Sequence, residues 1–389
     1  MDDLKRYGKK LVLRALLSPF RLLPIRQNRV FLINDLAYNY SDSPKFVCEY
    51  LQKHYAGKLD LVFGGRSPQK DGVAENVKFV KRNSLQYFYN AMTAKVLLTN
   101  SGGFSYLPLR KQQYVINTWH GGGAYKKCGR HMYEDTAFFR KDLHLSSDQT
   151  NVFLSTCSRF SDVVSDSMLV PRDIFWEIGL PRNDILTHGD EEVRNRVRQT
   201  IGLAKDEKLI LFAPTYRKPD DNYFKNSIAI SYGVDAERVC RAMSQRFGGK
   251  WRFGFRFHPC VTNRDELPDG DCLDLSDYPD MQELLCTADA MINDFSSSMW
   301  DFMLTGRPSF LFAVDLEHYV ATTEVYTPVS EWPFPQSVNN DELERNILEF
   351  DEKEYRAACE RHYRDLGGSE SGKATQLVCE RIAEQCLTK

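Results

Sequence analysis

The sequence predicts an α/β protein with two doubly wound sheets that face each other across a cleft. Short apolar runs alternate with amphipathic stretches along the chain, which is typical of this fold class. At 389 residues the chain is too long for one average hydrophobic core, so we expect two domains. Ligands of such sheets bind beyond the carboxyl ends of the strands, so polar residues that follow strands are the first candidates for a site.

The apolar runs and their spacing place the individual elements. The predicted strands lie at residues 30–33, 59–63, 77–80, 96–99, 114–118, 152–156, 175–178, 209–213, 251–257, 272–275, 288–293 and 309–313. The predicted helices lie at residues 45–55, 85–94, 191–201, 236–247, 281–286, 299–305 and 375–386. Turn residues at 179–184 separate two sets of elements, which predicts domains at 28–180 and 185–370. A basic segment at 1–27 precedes these domains, and a C-terminal helical segment at 371–389 follows them with its packing left open.

Composition excludes several classes of protein. The net charge is −2, which argues against a bulk nucleic-acid binder. Ten cysteines are scattered without a Cys-x-x-Cys pair or a Cys/His metal spacing, so we expect reduced thiols and no structural zinc site. Because the sequence shows no obvious acidic cluster, we expect no dedicated metal cage, and Mg²⁺ shared with a bound diphosphate is left open. We expect no redox cofactor. We also expect no signal peptide and no membrane span, since the uncharged stretches near the N-terminus are too short.

The first 29 residues are basic, with eight Lys or Arg against two Asp. One face of a helical wheel holds Leu4, Tyr7, Leu11 and Ala15, and the basic residues spread over the other face. Such a helix can lie on an anionic membrane surface, where each basic residue contributes about 1 kcal/mol. A solvated helix docked on its own domain is the alternative. We expect the membrane contact.

A histidine follows a predicted strand in the sequence Trp-His-Gly-Gly-Gly at 119–123. Histidine is the side chain best suited to take a proton near neutral pH, so His120 is the candidate general base. Glycines let a backbone approach a ligand and leave N–H groups for an anion, so Gly121 and Gly122 are candidate substrate contacts. Lys126 could offset negative charge on a substrate, with an ordinary solvated charge as the alternative.

Residues 251–259 alternate aromatic with polar or small side chains in the sequence Trp-Arg-Phe-Gly-Phe-Arg-Phe-His-Pro. Alternation along a strand places Arg256 and His258 on one side, with His258 at the strand's exit. An edge strand with one wet face is the alternative. We expect a functional role for His258 and leave Arg252 open.

Further polar groups follow two other strands of the second half. Three serines lie where the strand at 288–293 gives way to a helix, and hydroxyls with the N–H groups of a helix start bind anions. Serines there are also ordinary N-caps. The candidate substrate contacts of this half are Thr215, Arg217, Arg256, Asp294, Ser296, Ser297 and Asp301. Hydroxyl and guanidinium groups at strand exits suit a diphosphate.

The order and spacing of these motifs resemble the CDP-glycerol:poly(glycerophosphate) glycerophosphotransferase family. Its members look like Trp-His-Gly…Lys-Lys, Pro-Arg-Asn-Asp, Ala-Pro-Thr-Tyr/Trp-Arg, His-Pro and Ile-Thr-Asp-Tyr-Ser-Ser…Asp. The counterparts in this chain lie at 119–127, 181–184, 213–217, 258–259 and 292–301. Asn293 and Phe295 stand where the family usually has Thr and Tyr.

The resemblance implies a glycosyltransferase-B-like architecture of two Rossmann-like domains. It implies that the C-terminal domain binds CDP-glycerol or a related CDP-polyol and that the acceptor meets the N-terminal domain. The acceptor it implies is a polyprenyl-diphosphate-linked saccharide or polymer, and the enzyme would be peripheral on the cytoplasmic face of the cell membrane. No nucleic-acid partner is expected, and an oligomer is left open.

The expected reaction transfers glycerol phosphate from CDP-glycerol to an acceptor hydroxyl in cell-wall or capsular polymer synthesis, releasing CMP. His120 would be the general base, while His258, Arg256 and the serine turn would hold the diphosphate and stabilise its charge. Three alternatives stay open. They are a CDP-ribitol transferase, a sugar-nucleotide glycosyltransferase of the same fold, and a membrane-bound scaffold that only binds polymer.

Overall fold

The structure is a computed structural model that describes residues 2–37, 39–66, 76–123, 125–215, 233–257 and 272–388. The chain divides into two compact units, one made of Met1–Asp184 with Leu366–Lys389 and the other of Ile185–Asp365. Each unit combines a parallel sheet with helices, which confirms the predicted α/β class.

The first unit contains a parallel sheet of seven strands among the described residues. Its strands are β1 (Arg26–Ile33), β2 (Asp60–Gly65), β3 (Lys78–Lys81), β4 (Ala94–Thr99), β5 (Tyr114–Asn117), β6 (Val152–Ser155) and β7 (Phe175–Glu177). The helices are α1 (Asp2–Leu17), α2 (Asp42–His54), α3 (Leu85–Thr93), α4 (Ala137–Ser147) and α5 (Ser158–Met168), and α6 (Asp184–His188) begins at the boundary residue. The strand order is β3-β2-β1-β4-β5-β6-β7.

Strand β1 illustrates why the apolar runs become central strands. Val30 and Leu32 pack into a core that includes residues of α2, whereas Phe31 and Ile33 pack into a separate core that includes residues of α3. Alternate side chains therefore enter two cores, and a strand covered on both faces reads as one continuous apolar run. Val30 pairs with β2 on one side and with β4 on the other.

The second unit repeats this plan with six strands in its described part. They are β8 (Glu207–Phe212), β9 (Lys250–Phe255), β10 (Cys272–Asp274), β11 (Ala290–Asn293), β12 (Ser309–Phe312) and β13 (Gln336–Ser337). The helices are α7 (Glu191–Thr200), α8 (Ala236–Phe247), α9 (Met281–Thr287), α10 (Ser298–Met303), α11 (Leu316–Thr322), α12 (Asn340–Leu348) and α13 (Glu352–Asp365). The strand order is β10-β9-β8-β11-β12-β13.

Both sheets share the doubly wound order. Successive strands are added first on one side of the unit's first strand and then, after a reversal, on its other side. The reversal falls between β1 and β4 in the first unit and between β8 and β11 in the second. Ligands of such folds bind beyond the carboxyl ends of the strands at this point. The strand order therefore selects two edges for inspection, one in each unit.

The structure also corrects one alternative and adds elements that the pattern missed. Strand β9 lies between β10 and β8, so the suggestion of an edge strand is wrong. Helix α13 was not predicted, because its sequence is mostly charged and buries only Tyr355 and Cys359. Strand β13 is two residues long and gives no periodic signal.

The C-terminal helix α14 (Ala374–Leu387) belongs to the first unit. Its Val378 and Ile382 enter the core that holds Val30 and Leu32. The carboxylate of Asp184 accepts the backbone N–H groups of Ala374 and Thr375, at 3.1 and 2.7 Å, and so caps the start of this helix. The end of the predicted hinge thus anchors the C-terminus.

Glu370, just before α14, fixes the same segment from the other side. One carboxylate oxygen accepts the side-chain amide of Asn183 at 2.7 Å, and the other accepts the backbone N–H of Leu180 at 3.1 Å. Gly179 has φ +87°, and a Cβ at this position would lie 2.1 Å from the Glu370 carboxylate. Only glycine suits this close approach.

Helix α1 turns three of its basic residues toward the first unit. Arg6 and Lys10 pair with the carboxylate of Asp142 on α4, at 3.0 and 2.7 Å. Arg14 donates to the carbonyls of Ser105 and Leu107. The basic residues therefore do not all lie on a solvated face, and they hold the helix in place.

The outward face of α1 is apolar. It exposes Leu4, Leu11, Val12 and Leu16, next to Lys5 and Lys9. Leu16 is 70% exposed and Val12 61%, so this stripe contacts no core. Among the described residues, no helix is both long and apolar enough to cross a membrane.

We expect Glu370→Ala to lower the free energy of unfolding by about 1–3 kcal/mol, because two donors lose a charged acceptor. Urea unfolding followed by tryptophan fluorescence measures the change. Glu380→Ala is the matched control, since Glu380 is exposed on α14 and bonds Gln376 one turn away. Equal stabilities of the two variants would contradict the anchoring role of Glu370.

Candidate active site

His120 lies just beyond the carboxyl end of β5, a strand between β4 and β6. The preceding residue, Trp119, has φ +54°, a left-handed conformation that costs a non-glycine residue about 1–3 kcal/mol. The side-chain oxygen of Asn117 accepts the backbone N–H of Trp119 at 2.9 Å. The Trp119 ring stacks on the imidazole of His120, with centroids 4.5 Å apart. The turn is therefore held in a strained form that presents the histidine.

The imidazole of His120 makes one hydrogen bond that fixes its chemistry. Nδ1 lies 2.8 Å from the backbone carbonyl oxygen of Asn100, which follows β4. A carbonyl can only accept, so Nδ1 carries the proton and Nε2 of the neutral ring carries the lone pair. Burial lowers the pKa of His120 below its ordinary value, and the bond to Asn100 opposes that shift. The neutral, proton-accepting form is thus favoured near neutral pH.

Two charged residues act on His120 from the same unit. Arg182 and Asp42 form an ion pair at 2.9 Å, with side chains 8% and 14% exposed. The charge of Asp42 raises the pKa of His120, and the charge of Arg182 lowers it. Neither residue was predicted as part of the site. Arg182 belongs to the Pro-Arg-Asn-Asp motif and could have been nominated, whereas nothing in the sequence singles out Asp42.

The glycine-rich turn continues beyond His120. Gly122 is buried and Gly121 is half-buried. Gly123 has φ +74°, and a Cβ there would lie 1.9 Å from the Tyr125 ring, so this position requires glycine. Its N–H donates to the hydroxyl of Thr156 at 2.9 Å. Lys126 is exposed.

In the second unit, Thr215 and Asp294 meet across the point where the strand order reverses. Thr215 follows β8 and Asp294 follows β11, its neighbour in the sheet. The backbone N–H of Thr215 donates to the Asp294 carboxylate at 2.7 Å. Asp294 is 1% exposed. This pair ties together the two strand exits that the fold selects for ligand binding.

The serine turn lies directly after Asp294. The hydroxyls of Ser296 and Ser298 are 3.0 Å apart, and the buried amide of Asn293 donates to Ser298 at 2.9 Å. Ser297 stands at the N-cap position of α10, but its side chain makes no capping bond there. Asn293 therefore supports the turn, which gives a structural reason for one of the two departures from the family pattern.

Phe295, the other departure, stacks on Tyr319 with ring centroids 3.5 Å apart. Its own ring is buried, so a hydroxyl at this position would enter the core. Asp301 is also buried, and its carboxylate accepts the amide of Gln282 at 2.9 Å. Asp280 caps α9, because its carboxylate accepts the N–H groups of Gln282 and Glu283.

Arg256 lies at the exit of β9, beside β8, and its backbone N–H donates to the carbonyl of Phe212 at 2.8 Å. Its Nη1 atom is buried and has no hydrogen-bond partner among the residues that the structure describes. Burial lowers the pKa of the guanidinium, and Asp280 opposes the shift. A guanidinium with such a buried N–H group favours an anion nearby.

Arg217 and His258, the remaining predicted site residues, lie outside the described residues. The predicted residues that are described fall into two groups, one around His120 in the first unit and one around Thr215, Asp294 and Ser296 in the second. No group of three or more His, Cys, Asp or Glu side chains in the described part of the chain could hold a metal ion. None of the nine cysteines in that part of the chain forms a disulfide.

The family resemblance is confirmed. A family model described as CDP-Glycerol:Poly(glycerophosphate) glycerophosphotransferase matches residues 16–384, so the chain belongs to this family. A teichoic acid poly(glycerol phosphate) polymerase of Staphylococcus epidermidis is 26% identical over 358 residues, which cover 88% of this chain and 49% of that protein. A teichoic acid glycerol-phosphate transferase of Staphylococcus aureus is 27% identical over 394 residues, which cover 97% of this chain and 99% of that protein. The chain thus spans about half of one relative and nearly all of the other.

Other relatives differ in the polyol that their names give. A teichoic acid ribitol-phosphate polymerase of Staphylococcus aureus, TarK, is 24% identical over 332 residues, covering 82% of this chain and 62% of that protein. Among solved structures, the wall teichoic acid polymerase TagF matches with a TM-score of 0.82 at 24% identity, covering 99% of this chain and 97% of that one. This match confirms the glycosyltransferase-B-like fold of two α/β units.

We expect the imidazole of His120 to titrate below the ordinary histidine value of about 6.5, because protonation would place a charge in a desolvated site. The folded pKa is the lower one, so the unfolded chain binds the proton first. The stability that this residue contributes is therefore lost as the pH falls from about 6.5 toward the lowered pKa. NMR titration of histidine-labelled protein measures it, with His120→Gln to assign the signal. A midpoint at or above the ordinary value would contradict the burial of the ring.

Proposed function

We propose that this protein transfers glycerol phosphate from CDP-glycerol to a hydroxyl of a lipid-linked acceptor in the synthesis of a teichoic-acid-type polymer. The observation that carries the proposal is the neutral imidazole of His120, with its Nδ1 proton committed to Asn100 and its Nε2 lone pair left to accept a proton. Membership in the glycerophosphotransferase family supports the substrate class.

The chemistry is a phosphoryl transfer. The acceptor oxygen attacks the β-phosphorus of CDP-glycerol and forms a new P–O bond. The bond from the β-phosphorus to the bridging oxygen breaks, and CMP leaves with that oxygen. The acceptor proton passes to Nε2 of His120, a step that a positioned base accelerates about 10²–10⁴-fold. The protein otherwise supplies orientation and charge stabilisation, and Gly121, Gly122 and Lys126 are the proposed contacts on this side.

The donor diphosphate is proposed to bind in the second unit, at the exits of β8, β9 and β11. The Nη1 atom of Arg256, which has no hydrogen-bond partner in the described part of the chain, and the hydroxyls of Ser296 and Ser297 are suited to phosphate oxygens. Asp294 shapes this edge by holding the backbone at Thr215. Arg217, His258 and Asp301 complete the proposed donor set, in which His258 stabilises charge on the leaving phosphate.

A CDP-ribitol transferase is the second candidate, and a specific observation favours keeping it. Relatives named for glycerol phosphate and for ribitol phosphate match this chain with similar identity. A sugar-nucleotide glycosyltransferase or a polymer-binding scaffold would release no CMP from CDP-glycerol or from CDP-ribitol. CMP release from CDP-glycerol, CDP-ribitol and UDP-sugars with a lipid-linked acceptor separates these candidates.

We also propose that α1 places the enzyme on an anionic membrane surface. The exposed leucines of its outward face can enter the lipid interface, and Lys5 and Lys9 beside them can meet lipid phosphates. The ion pairs of Arg6 and Lys10 with Asp142 hold the helix to the first unit while its apolar face stays outward. An acceptor carried by a lipid would then meet the enzyme at that surface.

We expect His120→Gln and Arg256→Gln to fail in different ways. The first removes the base, so kcat for CMP release should fall about 10²–10⁴-fold while the Kd for CDP-glycerol changes little. The second removes a charged donor, worth about 1.5–3 kcal/mol, so the Kd should rise roughly 10–100-fold. Turnover assays and calorimetry measure the two effects.

Matched controls come from the same strand for Arg256 and from the same unit for His120. Arg252→Gln changes an arginine on the same strand, four residues earlier, and His54→Gln changes an exposed histidine of α2. Both should behave like the parent protein. CMP release by His120→Gln at the parental rate would reject the base, and no CMP release by the parent protein from any CDP-polyol would reject the proposed function.

We expect the double variant Leu11→Glu/Leu16→Glu to bind vesicles of phosphatidylglycerol and phosphatidylcholine at least about tenfold more weakly, because each buried leucine contributes about 1.5–3 kcal/mol. Co-sedimentation measures the binding. Leu85→Glu is the control, since Leu85 is 78% exposed at the start of α3 on the same unit. Undiminished binding by the double variant would discard the membrane role of α1.

A further inference from the structure

Three buried asparagines lie at the carboxyl ends of three strands of the first sheet. Asn34 follows β1 and Asn100 follows β4, and Asn117 is the last residue of β5; they are 2%, 0% and 3% exposed. A buried amide is costly unless its donors and acceptor find partners. Strands β1 and β4 flank the point where the strand order reverses. The hydrogen-bond partners of these amides therefore show how the backbone is held at the edge of the sheet where His120 lies.

The side chains of Asn34 and Asn100 are hydrogen-bonded to each other across the point where the strand order reverses. The amide of Asn100 donates to the side-chain oxygen of Asn34 at 3.0 Å, and its own side-chain oxygen accepts the backbone N–H of Asp35 at 2.9 Å. Asn34 in turn donates to the hydroxyl of Ser41 at 2.9 Å. These hydrogen bonds fix the peptide group of Asn100, whose carbonyl oxygen accepts the Nδ1 proton of His120.

Asn117 positions the His120 side of the hydrogen bond between His120 and Asn100. Its side-chain oxygen accepts the N–H of Trp119, and its amide donates to the carbonyl of Ser101 at 2.7 Å. The first contact fixes the strained turn that carries His120. The second ties that turn to the loop that follows Asn100. The donor and the acceptor of the His120–Asn100 bond are thus positioned by separate side-chain amides.

We propose that Asn34, Asn100 and Asn117 are positioning residues that select the Nδ1–H tautomer of His120. A neutral histidine side chain in water favours the Nε2–H tautomer, in which the lone pair sits on Nδ1. The asparagines reverse this preference by presenting a fixed carbonyl acceptor to Nδ1. The lone pair then lies on Nε2, the atom to which the acceptor proton passes. The catalytic consequence rests on the proposed function, whereas the tautomer itself does not.

The role differs from ordinary structural support in what it changes. Loss of an amide that only stabilises the fold lowers stability and leaves the imidazole in its original form. Loss of a positioning amide moves the proton from Nδ1 to Nε2. Gln113 provides the comparison, because its amide is also buried, directly precedes β5 and donates to the backbone carbonyls of Ala91 and Ala94.

The test is the tautomer of His120 in the full chain, read from long-range ¹H–¹⁵N NMR spectra of ¹⁵N-histidine-labelled protein above its pKa. His120→Gln identifies the signals. The parent protein should show a protonated Nδ1, and Gln113→Ala should keep it. Asn34→Ala and Asn117→Ala should shift the population toward Nε2–H and lower kcat for CMP release roughly 10–100-fold, as for other groups that orient a histidine.

Several outcomes would overturn the inference. An Nε2–H tautomer in the parent protein would do so without any variant, even if the asparagine variants failed to fold. An unchanged tautomer in folded Asn34→Ala and Asn117→Ala would also do so, as would an equal shift in Gln113→Ala. If the tautomer shifts as expected but His120→Gln still releases CMP at the parental rate, the positioning role stands and the proposed base is wrong.

Discussion

The hydrogen bond from Nδ1 of His120 to the carbonyl of Asn100 is the interaction on which the rest of the candidate site depends. It forms because β4 and β5 are parallel neighbours, so that their carboxyl ends bring residues 100 and 120 together. The left-handed backbone of Trp119 directs the chain back toward that carbonyl. Desolvation of the half-buried ring then lowers its pKa, which favours the neutral form. Strand pairing, backbone strain and burial therefore cooperate to produce one poised proton acceptor.

The two units share a strand order but place different chemical groups at the ends of their strands. At its reversal point the first unit places a pair of neutral amides, Asn34 and Asn100, and a neutral imidazole beyond them. The second unit places a buried carboxylate, Asp294, and at the neighbouring strand exit a half-buried residue, Arg256, whose Nη1 atom is buried. A neutral imidazole can accept a proton from a hydroxyl, whereas a guanidinium is suited to a diphosphate. The two related scaffolds thus differ in a few side chains at their strand exits, which is where functional differences between similar folds arise.

Much of this could be predicted from sequence because strands buried on both faces read as apolar runs and their exits are where polar residues appear. His120, Thr215, Arg256 and Asp294 were nominated in this way, and the structure places each of them just beyond the end of a strand. The contacts that tune His120 were not, since the Asn100 acceptor is a backbone atom and Asp42 meets Arg182 from 140 residues away. The wheel of α1 placed Leu4 and Leu11 correctly on the exposed apolar face, but Val12 and Leu16 complete that face, whereas Tyr7 is half-buried. It also could not show that basic residues of α1 dock inward, because Asp142 lies on a helix distant in sequence.

The most direct test of a neutral His120 as the proton acceptor is the pH dependence of kcat/KM for CMP release from CDP-glycerol. If His120 is the base, the rate falls on the acid side with an apparent pKa that equals the value of this imidazole in the free protein, below about 6.5. A profile that stays flat through that pKa, or an acid limb that follows a different group, would contradict it.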